Sequence, residues 1–126
     1  MARILIIEDN APLRAMLKNA LSAEGHFIVE ASDGGEGAGI FEREEFDVVI
    51  TDIIMPRRWG IETIIRLKQT RPHAKIIAIS GAGRGRSEDL LKAAYNVGAD
   101  VILSKPFTIK DLRTALASVL PKKKEP

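Results

Sequence analysis

Short apolar runs alternate along the chain with longer segments in which apolar residues recur every three or four positions. The runs show no polar alternation, which is typical of strands that are buried on both faces of a parallel sheet. The longer segments have the spacing of amphipathic helices. Because a helix is predicted after each strand, the pattern indicates one α/β domain with a doubly wound parallel sheet. The predicted strands are residues 3–7, 27–31, 48–51, 75–79 and 101–104.

Three of the predicted helices have features that can be compared with a structure. The second helix, at residues 34–44, has glycines at alternate positions and should therefore be the least stable. The fifth helix is predicted to begin with a capping box, Thr108–Asp111, in which Asp replaces the usual Glu or Gln. The third helix, at residues 60–70, is predicted to place Ile61, Ile64, Ile65 and Lys68 on one face.

Composition limits the classes of function. The chain has 126 residues, 45% of them hydrophobic, which is enough for one domain with its own core. It has no cysteine, so disulfides and thiolate metal sites are excluded, as suits a protein of the reducing cytoplasm. The net charge of +2 and the lack of a basic helix with base-reading residues predict no direct nucleic-acid partner. No apolar run reaches the roughly 18 residues of a membrane span, so we expect no membrane partner.

Polar side chains follow four of the five predicted strands, directly at the carboxyl end of each. Glu8 and Asp9 follow the first strand, Asp52 the third, Ser80 the fourth and Lys105 the fifth. The carboxyl ends of parallel strands lie at one edge of the sheet, where open α/β sheets bind their ligands. Residues with purely structural roles would not be expected to share one edge. We therefore predict that these five side chains form a single site.

The chemistry of this set indicates phosphoryl transfer. Two like charges about 4 Å apart repel each other by roughly 1 kcal/mol in water and about 4 kcal/mol at an effective dielectric constant of 20. A hard divalent cation relieves such repulsion, and carboxylate oxygens suit Mg²⁺. A carboxylate nucleophile, a metal, a lysine and a hydroxyl are together the parts of a site that transfers a phosphoryl group.

The order and spacing of these motifs resemble the receiver domain of two-component response regulators over nearly the whole chain. The matching segments are Glu8-Asp9, Asp52–Pro56, Ser80, Gly98–Asp100 and Lys105–Phe107. The resemblance implies a flavodoxin-like, doubly wound five-stranded parallel sheet with strand order 2-1-3-4-5 and five helices, in which the first and third strands are neighbours. We expect the receiver domain at residues 1–121 and a disordered basic tail at residues 122–126.

The resemblance also implies a role for each residue of the site. Asp52 would accept a phosphoryl group from a phosphohistidine on a sensor histidine kinase or a histidine phosphotransfer protein. Ser80 would donate a hydrogen bond to one phosphoryl oxygen and Lys105 would pair with another. The Lys105-Pro106 bond is cis in the family, which would fix the direction of the lysine. The implied Mg²⁺ ligands are Glu8 through water, Asp9, Asp52 and the backbone carbonyl of Ile54.

The chain departs from the family pattern at several positions. Ile102 replaces the aromatic residue that usually moves inward on activation, and Arg57–Gly60 and Gly81–Arg86 are unusual loop sequences. We therefore expect Ser80 and the glycine-rich loop to carry the response. Ile54 and Ala82 stand where family members place side chains that can assist the hydrolytic water. Since neither residue can hydrogen-bond a water, the phosphorylated state should be long-lived.

These observations lead to a function and leave two alternatives. We expect a stand-alone receiver, similar to the chemotaxis regulators, that signals by phosphorylation-dependent binding of a downstream protein target. It would not be an enzyme beyond self-catalysed phosphoryl transfer and autodephosphorylation. A haloacid-dehalogenase-type phosphohydrolase is one alternative, although it needs a second Asp where this chain has Ile54. The other is a receiver-like interaction module that is not phosphorylated, against which the intact acidic pocket argues.

Overall fold

The computed structural model describes residues 1–53, 60–80 and 87–120, with the side chains of residues 87–91 left out. Within these residues five strands alternate with five helices. The strands are β1 (Arg3–Ile7), β2 (Phe27–Ala31), β3 (Val48–Asp52), β4 (Ile76–Ser80) and β5 (Val101–Ser104). The helices are α1 (Ala11–Ala23), α2 (Gly34–Arg43), α3 (Gly60–Thr70), α4 (Ser87–Val97) and α5 (Ile109–Val119).

The strands form one parallel sheet in the order β2-β1-β3-β4-β5, as the sequence predicts. Every predicted strand lies within one residue of the observed one. The register pairs Ile7 of β1 with Thr51 of β3, and Asp52 of β3 with Ile79 of β4. The ends of these three strands are therefore offset by only one residue from each strand to the next, which places their last residues and those that follow at one edge.

The sheet separates two apolar layers, which explains why its strands lack polar alternation. Successive residues of β1 point to opposite sides, so that Ile4 and Ile6 join one layer and Leu5 and Ile7 join the other. The first layer is completed by α1 and α5, and the second by α2, α3 and α4. The fifth helix begins with the predicted capping box, in which the Thr108 side chain and Asp111 bond to each other's backbone N–H groups.

The face of α3 that the sequence groups together is only partly the face that the helix buries. Ile64 is fully buried, as expected, but Ile65 is 38% exposed. The buried face instead runs from Gly60 through Ile64 to Leu67, because α3 packs on the sheet along this line. Lys68 lies beside that face, where its ammonium group donates to the carbonyl of Ala74.

Two glycines allow close packing that the sequence pattern does not reveal. A Cβ atom on Gly37 of α2 would lie 2.3 Å from Cδ1 of Ile7. A Cβ atom on Gly60 would lie 1.9 Å from the carbonyl oxygen of Ile53, the residue after Asp52. Gly37 is therefore needed for α2 to pack on β1, in addition to its expected cost to the helix. That α2 is the least stable helix stays a prediction.

Several predictions concern residues outside the described ranges. These are the basic tail at residues 122–126, the loop sequences Arg57–Trp59 and Gly81–Arg86, and the proposed roles of Ile54 and Ala82. Among the residues that are described, no helix is long and apolar enough to cross a membrane.

Candidate active site

The five predicted site residues all lie at the carboxyl edge of the sheet. Asp52 is the last residue of β3 and Ser80 is the last residue of β4. Glu8 follows β1 and donates its N–H to the carbonyl of Ala31, 3.0 Å away. Lys105 follows β5 and donates its N–H to the carbonyl of Ser80 at 2.8 Å. The backbone of these residues is thus fixed by continuation of the sheet hydrogen bonding.

Three carboxylates meet at this edge. Glu8, Asp9 and Asp52 each offer an oxygen that lies within 4.8 Å of the others. Glu8 and Asp52 are almost fully buried, at 1% and 2% exposure, whereas Asp9 is exposed. The Lys105 ammonium nitrogen lies 3.0 Å from Oδ2 of Asp52 and 3.7 Å from Oε1 of Glu8. These positions agree with the cluster that the sequence predicts.

The electrostatics of the cluster follow from burial and crowding. Burial, reinforced by the charge of Asp52, raises the pKa of Glu8 to about 7, although the Asn10 N–H and Lys105 act in the opposite direction. Burial opposes the charged form of Lys105, but its hydrogen bond to Asp52 and the nearby carboxylates outweigh that effect and raise its pKa. Three carboxylates facing one lysine form a site that favours additional positive charge.

Glu8 supplies a direct test of whether the residues fit a metal ion. Its Oε2 accepts a hydrogen bond from the Asn10 N–H at 3.0 Å. Its Oε1 is buried and has no hydrogen-bond partner within the described residues. A buried oxygen without a hydrogen bond is costly unless another group binds it. The three carboxylates are hard oxygen ligands, so the donor set fits Mg²⁺.

Two neighbours of the cluster were not found by sequence reasoning. Asn10 caps α1, since its side chain accepts from the Leu13 N–H at 2.9 Å while its own N–H holds Glu8. An Asn just before Ala-Pro is a recognisable capping signal. Arg14 donates to the backbone carbonyl of Glu8. The sequence gives no such signal for Arg14, because basic residues on a helix usually face solvent.

The remaining predictions for the site have mixed outcomes. The Lys105-Pro106 peptide bond is cis, as the resemblance implies. Ile102 is half-buried in the apolar layer shared with α2, α3 and α4. The backbone carbonyl of Ile54, predicted as a metal ligand, lies outside the described residues.

The sequence itself decides the family. Residues 4–117 match the response regulator receiver domain family. The chain belongs to this family. A receiver domain is a signalling domain of two-component systems rather than a dedicated enzyme, so the phosphohydrolase is not favoured. The family match does not favour the unphosphorylated interaction module either.

The proteins that this chain resembles differ widely in total length. Chemotaxis protein CheY of Halobacterium salinarum is 31% identical over 118 residues, which cover 94% of this chain and 96% of that protein. A receiver domain protein of Clostridium thermocellum has a solved structure with a TM-score of 0.85 and 32% identity, covering 94% of both chains. The transcriptional regulatory protein PdtaR of Mycobacterium tuberculosis is 39% identical over 115 residues, but this receiver domain spans only 54% of it. The present chain likewise spans only 45% of the probable transcriptional regulator ycf27 of Guillardia theta, to which it is 36% identical.

Proposed function

We propose that Asp52 accepts a phosphoryl group from a phosphohistidine on a sensor histidine kinase or a histidine phosphotransfer protein. The observation that carries this proposal is the position of the Asp52 carboxylate. It ends a central strand, lies 3.0 Å from the Lys105 ammonium nitrogen and shares the cluster with Glu8 and Asp9. A buried carboxylate among other carboxylates, with a cation beside it, suits a nucleophile for phosphoryl transfer.

The residues of the site would then have distinct tasks. An oxygen of Asp52 bonds to phosphorus as the phosphorus–nitrogen bond of the donor breaks. The imidazole leaves with the electron pair of that bond and takes up a proton from solvent. Lys105, which already faces Asp52, pairs with a phosphoryl oxygen, and the Ser80 hydroxyl donates a hydrogen bond to another.

Glu8, Asp9 and Asp52 would hold Mg²⁺, together with the backbone carbonyl of Ile54. The buried Oε1 of Glu8, which faces Lys105 at 3.7 Å but has no hydrogen bond within the described residues, supports this assignment. The spacing of the carboxylate oxygens supports it as well. Bound Mg²⁺ supplies positive charge that offsets the charges of the carboxylates and of the phosphoryl oxygens. Glu8 would act through a water molecule.

The output of the domain is proposed to be a change in protein binding. Phosphorylation would alter the affinity for a downstream protein target, and slow autodephosphorylation would end the signal. A cytoplasmic location, the absence of a nucleic-acid or membrane partner and a stand-alone chain stay predictions.

Mass spectrometry of the intact protein tests the assignment of Asp52. Incubation with acetyl phosphate and Mg²⁺ should add the mass of one phosphoryl group to the wild-type protein. Asp52→Asn should remove this addition. Asp47→Asn is a matched control, since Asp47 precedes the same strand and accepts from the Arg3 N–H. An amide oxygen at position 47 can still accept that bond, so this variant should be labelled like the wild type.

Two results would contradict the proposal. Equal labelling of Asp52→Asn and the wild type would show that another residue is the acceptor. Absence of labelling in the wild type, under conditions in which its fold is intact, would favour the unphosphorylated interaction module.

A further inference from the structure

Arg14 of α1 connects the acidic cluster to the edge of the sheet. Its Nη1 donates to the backbone carbonyl of Glu8 at 2.6 Å. Its Nε lies 3.6 Å from Oε1 of Glu30, which belongs to β2. Only 22% of the Arg14 side chain is exposed. Arg14 therefore bridges the main chain of a proposed metal ligand and the carboxylate of Glu30 on the edge strand.

Glu30 fixes the guanidinium group from the other side. It pairs in register with Ile6 of β1, two residues before Glu8. Its second oxygen lies 3.3 Å from Nζ of Lys18, one helical turn beyond Arg14. Arg14 and Lys18 thus share Glu30 as a partner, but Arg14 is the residue that donates to the Glu8 carbonyl.

The Glu8 carbonyl is a sensitive place for such a contact. The N–H of Glu8 is held by Ala31, and its carboxylate is held by the N–H of Asn10. The hydrogen bond from Arg14 to the carbonyl fixes the peptide unit that joins Glu8 to Asp9. Asp9 is exposed, so burial does not fix its carboxylate. The position of Asp9 therefore depends strongly on the orientation of that peptide.

We propose that Arg14 is a positioning residue for magnesium binding, which acts through the backbone carbonyl of Glu8 and is itself held by Glu30. The proposal rests on the proposed metal site at Glu8, Asp9 and Asp52. Groups that orient metal ligands commonly contribute about tenfold or more to metal affinity. Arg14 acts on the ligand backbone, so we expect a loss near the lower end of that range.

Charge and position make opposite predictions for Arg14. A guanidinium group near a cation site repels the cation, so removal of its charge alone should strengthen Mg²⁺ binding. Loss of the hydrogen bond to Glu8 should weaken binding, because the two ligands would no longer be held in place. The sign of the change in affinity therefore separates a positioning role from a purely electrostatic one.

Calorimetric titration with Mg²⁺ of the wild type and four variants tests the proposal. Arg14→Gln should bind Mg²⁺ about tenfold more weakly than the wild type. Arg14→Lys keeps a charged donor and should lose less. Glu30→Gln removes the ion pair that holds the Arg14 guanidinium group but keeps the guanidinium group itself. This variant should lose less Mg²⁺ affinity than Arg14→Gln does. Lys18→Gln is the matched control, because it removes a charge from the same helix that also pairs with Glu30, and it should bind as the wild type does or slightly more tightly.

Two outcomes would overturn the proposal. The first is an affinity of Arg14→Gln equal to or higher than that of the wild type. The second is an equal loss in Arg14→Gln and Lys18→Gln, which would assign the effect to the shared partner Glu30 or to charge. If Arg14→Gln does not fold, the comparison of Arg14→Lys with Lys18→Gln decides in the same way. Failure of the wild type to bind Mg²⁺ would instead refute the proposed metal site, and with it this inference.

Discussion

At the edge of the sheet where the strands begin, Asp47 and Asp100 each hold the first residue of a neighbouring strand. Asp47 Oδ2 accepts from the Arg3 N–H at 2.7 Å, and the Asp47 N–H donates to the Arg3 carbonyl at 2.8 Å. Asp100 forms the same ring with Ile76, with both distances at 2.8 Å. Each of these carboxylates is used to join two strands.

At the opposite edge, where the strands end, carboxylates are brought together instead of being separated. Glu8, Asp9 and Asp52 present oxygens within 4.8 Å of one another, and Oε1 of Glu8 has no hydrogen bond within the described residues. Crowding of carboxylates and a buried oxygen without a hydrogen bond cost stability, as expected for the proposed metal site before the metal binds. The comparison teaches that carboxylates before a strand join two strands, whereas those at the end of a strand form the cluster that we propose binds Mg²⁺.

The largest effect should come from the backbone that follows Asp52. Gly60→Ala would place a Cβ atom 1.9 Å from the carbonyl oxygen of Ile53, so α3 must move away from the site. We expect a loss of about 3 kcal/mol or more in the free energy of unfolding, measured by urea denaturation. Gly39→Ala is the control within a helix, because its nearest neighbour would be Arg43 at 3.6 Å. That variant should gain up to about 1 kcal/mol. Similar stabilities for the two variants would contradict the close approach at Gly60.

The pH dependence of stability should show how far the buried Glu8 carboxylate destabilises the fold when it is ionised. The pKa of Glu8 is about 7 in the fold, above its ordinary value of 4.5. A raised pKa contributes stability that is fully present below the unfolded value and is lost as pH rises through the folded one. In chelator, unfolding free energy should therefore fall between about pH 4.5 and somewhat above pH 7, by up to about 3 kcal/mol. Glu8→Gln should flatten this slope, and an unchanged slope in that variant would assign the titration to another group.

A smaller loss of stability is expected at the edge of the sheet where the strands begin, and this loss should not depend on metal. Asp100→Ala removes the acceptor of the buried Ile76 N–H, which should cost about 2 kcal/mol in chelator and in Mg²⁺ alike. Asp100→Asn can still accept that hydrogen bond and should retain most of the stability. Urea denaturation in both buffers measures this. A loss that appears in only one of the buffers would remove the distinction between the two edges.

Much of the fold and the site could be predicted from sequence because local patterns determine them. Strands buried on both faces, such as β3, read as continuous apolar runs. The polar residues that end these runs, Asp52 and Ser80 among them, reach one edge through the parallel topology alone. The position of the candidate site is therefore specified by strand ends, which sequence patterns locate within one residue.

The remainder depends on contacts between distant parts of the chain. Gly37 packs closely on Ile7, and Arg14 donates to the Glu8 carbonyl. Glycine and arginine occur in many environments, so their presence in the sequence does not reveal these contacts. The buried line of α3 through Leu67 was missed because Ile65 is equally apolar. Helix periodicity alone cannot decide which of two neighbouring apolar residues faces the sheet.

The most direct test compares thermal unfolding of the wild type and Glu8→Gln at about pH 8, in chelator and in Mg²⁺. If the cluster of Glu8, Asp9 and Asp52 destabilises the metal-free protein but binds Mg²⁺, the order of the two melting temperatures should reverse between the buffers. In chelator Glu8→Gln should melt higher than the wild type, because an ionised, buried carboxylate has been neutralised. Mg²⁺ should raise the melting temperature of the wild type more than that of the variant, since a ligand that binds only the native state stabilises that state. A Glu8→Gln variant that melts below the wild type in chelator and gains as much from Mg²⁺ would contradict the account.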